Sequence, residues 1–277
     1  MNNIPENSIY KHPSQKNIEP MWVLRCKENY SINDITMNLL DDVFNPDQYF
    51  EGELLSELHN IREEKLKKWY PWRNSRLTDI SINKDWTINF QMQEIEYWRN
   101  AALWWDYIIT QKIIDQKWIE YISKGLWVAI CIQTSDNKYV IGVKPKWSII
   151  PYDFIWWIVE FNQNFKDLVY KEIIKNKPEK KVNFLRMTIL KELKEEIWIQ
   201  NKEIEWEIDL LWCVLWWLWR YILVTKIHVT ISSNDIIKRF EWNNCKEFEE
   251  IICLDKIDLK DLLANQSKIK QLIGESI

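Results

Sequence analysis

The spacing of apolar and polar residues changes character near residue 120. Before it, a polar opening segment, expected to be mobile, gives way at 54–69 to Leu and Ile at helical spacing amid dense charge, which predicts an amphipathic helix. Alternating runs at 77–82 and 88–95 predict two strands joined by a turn around residue 86. Beyond 120, the apolar run LWVAICIQT at 126–134 predicts a buried strand, 135–138 a turn, 139–143 a second strand and 154–161 a third. The polar, Lys-rich stretch 162–182 predicts a helix over 165–175 and a break at Pro178, and 185–197 carries the clearest helical pattern in the chain. Strands are predicted at 204–214, 221–231 and 250–254, with a closing helix over 259–263. No internal repeat is visible. The order predicts an α/β (α+β) fold, a mixed β-sheet sandwiched between helices. Residues 1–120 are expected to form an N-terminal extension, itself a small β-rich domain, 121–264 the main domain and 265–277 a C-terminal tail.

Composition unsettles this ordinary picture. The chain has 277 residues, 19 Trp and only 4 Gly. A soluble protein of this length carries roughly 19 glycines, because turns and helix ends need positive φ. Together the 19 Trp and 4 Gly make up about 8% of the chain, an ordinary share for glycine alone. The rest of the chain leans on Ile, Asn and Lys, the residues of AT-rich codons, which abundant Trp does not fit. Many of these Trp are therefore read as glycines, written as Trp where UGA codons were translated with the wrong genetic code. Local context agrees. Trp86 follows Asp85 in a hairpin turn that Asp-Gly would suit. Trp198 follows KELKEEI, where a helix should end in a left-handed residue, usually glycine. The pairs Trp104-Trp105, Trp156-Trp157 and Trp216-Trp217 lie between strand-like runs, as Gly-Gly pairs do. With Gly at 212, 216, 217 and 219, the apolar stretch 210–219 becomes a glycine-rich loop before a strand.

Charge and cysteines exclude several classes. A net charge of −4 offers no general field for a polyanion, so no nucleic-acid partner is expected. Five scattered Cys, with no CxxC pair, fit a reducing cytosol better than a zinc site or disulfide framework. The polar first residues carry no signal-peptide pattern. The stretch around 210–224 is interrupted by Arg220 and Lys226 well short of the ~20 residues a membrane span needs. A cytoplasmic protein without a membrane partner is expected.

The 185–197 helix carries the candidate chemistry. At about 100° per residue, Ile189, Leu190, Leu193 and Ile197 form a core-facing stripe, and Glu192, Glu195 and Glu196 occupy the adjoining arc. Three neighbouring carboxylates repel one another, and a hard divalent cation converts that repulsion into binding because Mg²⁺ prefers carboxylate oxygens. The interspersed Lys191 and Lys194 also suit a plain solvated helix.

KELKEEIWI at 191–199 resembles the second half of the Nudix box, R-E-U-x-E-E-x-G-U, of the Nudix (MutT-like) hydrolases. Lys191 stands for the family's Arg and Trp198 for its Gly. Upstream, FIWWIVE at 154–160 is similar to the family's Gly-Gly-x-x-Glu strand-loop, with Trp156 and Trp157 at the glycine positions and Glu160 as the Glu. The family spacing is not kept throughout: Asn183 and Lys177 stand where it has Glu and Gly, and about 20 residues are inserted after Glu160. The inserted Lys175, Lys177, Lys180 and Lys181 are candidates to meet substrate phosphates or to form a solvated loop. The resemblance covers 121–264 and leaves 1–120 unexplained.

It implies the Nudix fold and Mg²⁺-dependent, or Mn²⁺-dependent, hydrolysis of a diphosphate linkage in a small nucleoside diphosphate derivative. Glu192, Glu195 and Glu196, with the backbone carbonyl of Trp156, are the implied metal ligands. Glu192 and Glu196 carry the chemistry, Glu160 and Lys191 contact substrate, and Glu247 or Glu250 in a Glu-rich loop is the implied general base or further ligand. Family members often pair, so a homodimer is among the expected partners. Two rival readings stand beside it: a Nudix-fold ligand-binding or regulatory module with a weakened box, and a genuinely Trp-rich carbohydrate-binding or interfacial protein.

Overall fold

The computed structural model describes residues 21–66, 73–82, 87–96, 99, 107–115, 125–146, 148, 151–159, 184–216, 220–242, 247–264 and 266–277. The strands are β1 (Met21–Ser31), β2 (Ile35–Phe44), β3 (Arg73–Ile82), β4 (Ile88–Glu96), β5 (Leu126–Gln133), β6 (Tyr139–Val143), β7 (Tyr152–Asp153), β8 (Ile155–Ile158), β9 (Ile204–Trp216), β10 (Arg220–Val229) and β11 (Glu250–Leu254). The helices are α1 (Gly52–Ile61), α2 (Tyr107–Asp115), α3 (Phe184–Ile197), α4 (Ser233–Trp242), α5 (Lys256–Ala264) and α6 (Lys268–Ser276).

Eight strands form one mixed sheet in the order β1-β9-β10-β5-β6-β11, with β7 on β6 and β8 on β5. Its centre is the parallel pair β10 and β5, in register from Tyr221 opposite Leu126 to His228 opposite Gln133. Residues of β5 alternate between the two faces, as a strand must. Val128, Ile130 and Ile132 share a core with Leu185, Ile189 and Leu193 of α3 and Ile236 and Phe240 of α4. Ala129 and Cys131 share the opposite core with Leu259 and Leu263 of α5 and Ile273 of α6. The fold is thus mixed α/β, a sheet between helices, as the element order implies.

A second sheet, β2-β4-β3, combines a parallel pair with the expected antiparallel hairpin, in which Ile82 faces Ile88. Its turn at 83–86, including Trp86, lies outside the described residues. Ile35, Leu77, Phe90 and Met92 of this sheet join the α3 side of the core. Beside it, α1 buries Leu54, Leu58 and Ile61 on one face, as its helical spacing predicts. Buried Arg62 pairs with Asp47, and Arg99 joins them at 2.7 Å from Asp47 and 2.5 Å from Glu96. Although β1 falls within the first 120 residues, it pairs with β9 in the larger sheet. In the same way, 268–277, read from sequence as part of a tail, forms α6 over Lys268–Ser276 and buries Lys270, Ile273 and Ile277. Among the described residues no helix is long and apolar enough to cross a membrane.

The five Trp whose side chains are described fall into different classes. Trp198 takes φ 57°, and among the described residues the other positive-φ positions are Asn137 and Gly52, types suited to that region. The left-handed conformation costs a residue with a Cβ roughly 1–2 kcal/mol. Trp198 is also 48% exposed, so its indole recovers little of that cost by burial. Trp242 is exposed as well, and Trp127 and Trp156 are half-buried. Trp212 behaves differently: it is buried, and its Nε1 donates to Ser276 Oγ at 2.9 Å. The glycine-rich loop expected over 210–219 is therefore corrected through residue 216. There β9 runs unbroken against β10, and position 212 faces a helix-covered core where a large apolar side chain stabilises by packing.

Trp198→Gly should raise unfolding stability by about 1 kcal/mol in urea titration, by releasing left-handed strain, whereas Trp212→Gly should lower it by about 3 kcal/mol or more through the cavity it leaves. The codon at 198 is expected to be UGA; UGG there, with no gain on substitution, would remove the glycine reading at that site.

Candidate functional site

Helix α3 shows how one stripe can hold both core and chemistry. Leu185, Ile189, Leu193 and Ile197 are fully buried against the sheet. Counting about 100° per residue from Ile189, Glu196 lies only about 20° away, Glu192 about 60° and Glu195 about 120°. The two nearer residues are buried, Glu192 at 1% exposed and Glu196 at 7%, while the farthest, Glu195, is exposed. Glu192 and Glu196 are thus both buried one turn apart on α3, and Glu195 is exposed. Lys191 Nζ lies 3.7 Å from Glu192 Oε1. Among the described residues, no three or more His, Cys, Asp or Glu side chains are arranged to hold a metal ion. The donor set thus fits a divalent cation in part. Two buried carboxylate groups offer the hard oxygen ligands that Mg²⁺ takes, and the remaining positions of such an ion are commonly filled by water or substrate phosphate.

The end of α3 is closely held. After the left-handed residue at 198, the chain folds back, and the Ile199 N–H donates to the Leu193 carbonyl at 3.1 Å while its side chain is fully buried. Arg239 of α4 secures this turn. Its guanidinium donates to the Trp198 carbonyl at 3.3 Å and, through both terminal nitrogens, to the Glu203 carboxylate at 2.7 and 2.8 Å. Glu203 also accepts from the Gln200 N–H at 2.9 Å. These bonds, the Arg239 pair foremost, hold the Glu203 carboxyl below its ordinary value of 4.5. Sequence reasoning missed Arg239 because its partners come from a different helix and a loop.

On the strand side, α3 packs against β8, which pairs with β5 from Ile155 opposite Ile130 to Ile158 opposite Trp127. The Val159 N–H donates to the Leu126 carbonyl at 2.7 Å. Hydrogen-bonded pairs alternate along an antiparallel ladder, so the backbone groups of Trp156 point away from β5. The Trp156 carbonyl, an implied ligand, is in this way directed off the ladder. Its indole Nε1 donates to Asp153 Oδ1 at 2.6 Å.

The Glu-rich loop lies at the β11 edge. Glu247 forms an ion pair with Lys144, whose ammonium also sits 4.4 Å from the Phe248 ring centroid. Phe248 fills the space beside Gly142, where an added Cβ would stand 2.1 Å from the ring, so only glycine admits this packing. Glu250 is exposed, opposite Val143 at the start of β11. Glu160, Asn183 and the lysines at 175, 177, 180 and 181 lie outside the described residues, as does the helix expected over 165–175.

No family model matches the chain, and no curated protein matches it. Among solved structures the chain is similar to the crystal structure of DR0079 from Deinococcus radiodurans, at 10% sequence identity and a TM-score of 0.34, covering 55% of this chain and 82% of that one. A likeness of that size carries no argument about the site.

Glu203 carries a depressed pKa, so its pairing with Arg239 stabilises the protein above about pH 4.5 and the contribution is lost as pH falls through the lower folded value. Arg239→Met should therefore lower unfolding stability by about 1 kcal/mol at neutral pH. The deficit should shrink as urea titrations are taken below pH 4.5; a deficit independent of pH would refute the pairing.

Proposed function

We propose that this chain is a hydrolase of the Nudix type, cleaving the diphosphate linkage of a nucleoside diphosphate derivative with Mg²⁺, or Mn²⁺ in its place. One observation carries the reading: Glu192 and Glu196 are buried one turn apart on a helix whose next residue, 198, adopts the conformation that glycine favours. Those are two acidic positions and the glycine position of the motif the sequence resembles.

In this reading Glu192, Glu195 and Glu196 would hold the ion, with the Trp156 carbonyl as a further donor. When bound, Mg²⁺ supplies charge neutralisation on diphosphate oxygens and a more acidic water. Lys191 and Glu160 contact the substrate. Glu247 is the first choice for accepting the proton of the attacking water: Lys144 holds it in one place, and a base must sit within hydrogen-bond reach of the proton it takes. Glu250 is the second choice. A ligand-binding module without turnover is the competing reading, favoured by the exposure of Glu195, which leaves two rather than three acidic groups buried.

A panel of nucleoside diphosphate derivatives, assayed for Mg²⁺-dependent product release, should contain a substrate. Glu196→Gln should lower its turnover by roughly three orders of magnitude with an unchanged circular-dichroism spectrum. Wild-type turnover in that variant would rule out this ion site, and ligand binding without turnover by the parent chain would favour the module.

A further inference from the structure

Helix α6 sends a buried lysine into the strand segment that leads to the candidate site. Lys270 is only 3% exposed. Its ammonium lies 3.0 Å from Asp153 Oδ1 and donates to the Tyr152 carbonyl. Asp153 Oδ1 also accepts from the Phe154 N–H at 3.1 Å and from Trp156 Nε1 at 2.6 Å. All these contacts converge on a reversal of the chain. Strands β5 and β6 pair at Gln133 opposite Tyr139, next to their turn. Farther along, β7 lies on β6, with Asp153 opposite Gly142, and β8 lies on β5, with Ile155 opposite Ile130. Residues 152–158 therefore run toward the turn along β6, reverse at Phe154 and run away from it along β5. Phe154 is buried in the core that α5 and α6 cover.

A reversal at one residue has little local means of holding its angle, because β7 contributes only two residues to its ladder. The ammonium bridges a backbone carbonyl and a side chain of that short strand and draws both to α6. Breaking a buried ion pair by removing one partner leaves a buried charge behind, so the pair resists opening. Downstream of the reversal, β8 carries the 156 carbonyl and supports α3, with Glu192 and Glu196.

We propose that Lys270 is a positioning residue: through Asp153 and the Tyr152 carbonyl it clamps the Phe154 reversal and thereby sets β8 beneath the acidic helix for cation binding. This rests on the reading of Glu192 and Glu196 as a Mg²⁺ seat. Residues that support metal ligands from behind commonly change affinity by about 10–100-fold when replaced.

The test uses the full chain and two measurements, a calorimetric Mg²⁺ titration and amide hydrogen exchange. Lys270→Met should weaken Mg²⁺ binding about tenfold and accelerate exchange over 152–159, and Lys270→Arg should restore both in part. Asp153→Asn, which removes charge at nearly constant volume, should reproduce the Met phenotype and takes its place should Lys270→Met fail to fold. A purely structural lysine would lower the melting temperature and leave the Mg²⁺ titration of the folded variant at the wild-type value, which overturns the proposal. Should the parent chain bind no Mg²⁺, the metal reading fails and the positioning role falls with it. The exchange data then decide the clamp alone: unchanged exchange over 152–159 removes it, and acceleration there establishes it as a fold constraint.

Discussion

Glu192 and Glu196 lie on the same side of α3 as the residues that dock it, and this placement constrains everything around the helix. Withdrawing a carboxylate from water costs several kcal/mol. Each large apolar side chain buried beside it stabilises by about 1.5–3 kcal/mol. Leu185, Ile189, Leu193, Ile197 and Ile199, all fully buried, are together of the size needed to keep two carboxylates out of solvent. Docking does not remove the repulsion between two like charges one turn apart, and Lys191 at 3.7 Å from Glu192 approaches from a partly exposed position. The hydrolase proposal supposes that a cation at this buried edge relieves that repulsion.

The same helix must stop abruptly, since Ile199 is needed in the core immediately after Ile197. Passing through a left-handed residue at 198 accomplishes this in one step and returns the chain over the helix end. Such an end is legible in sequence because its chemistry is local: an apolar, helical pattern stops and the next position calls for glycine. The strand environment of position 212 is not legible in sequence, for the complementary reason. Its environment is made by α6 and the neighbouring strand, more than fifty residues away for Ser276, and composition reveals nothing of that. An excess of Trp in the composition therefore does not by itself say which positions suit glycine; local context does so at 198 and not at 212.

Legibility elsewhere followed the same division. The run LWVAICIQ, buried on both faces of a central strand, could be read directly, as could the hairpin that follows it and the stripe of α3. β1 was not readable: its ladder with β9 is irregular, with shifts between Trp22 and Leu24 and between Arg25 and Tyr30, so no clean alternation marks it. α4 depends on Asp136, from the β5–β6 turn, which accepts bonds from the backbone and hydroxyl of Ser233 at 2.9 and 2.6 Å. A cap supplied by another element leaves no mark beside the helix it caps. At the candidate site the acidic cluster is evident in sequence, and the exposure of Glu195 beside two buried Glu accords with its greater angle from the core stripe.

The splayed hairpin explains how the two helical layers come to matter to one site. Strands β5 and β6 separate soon after their turn, and one chain segment completes both edges by reversing at Phe154. The position of β8 therefore depends on β6 as well as β5, and on α6, which holds the reversal from one side of the sheet. α3 rests on the other side. Coupling between the two helices needs no contact between them, because one short strand carries the geometry from Lys270 to the buried carboxylates. A contiguous path of this kind, made of an ion pair, a reversal and a four-residue strand, has few ways to relax. Under the Lys270 proposal, a change at α6 would reach the acidic side of α3 through this strand.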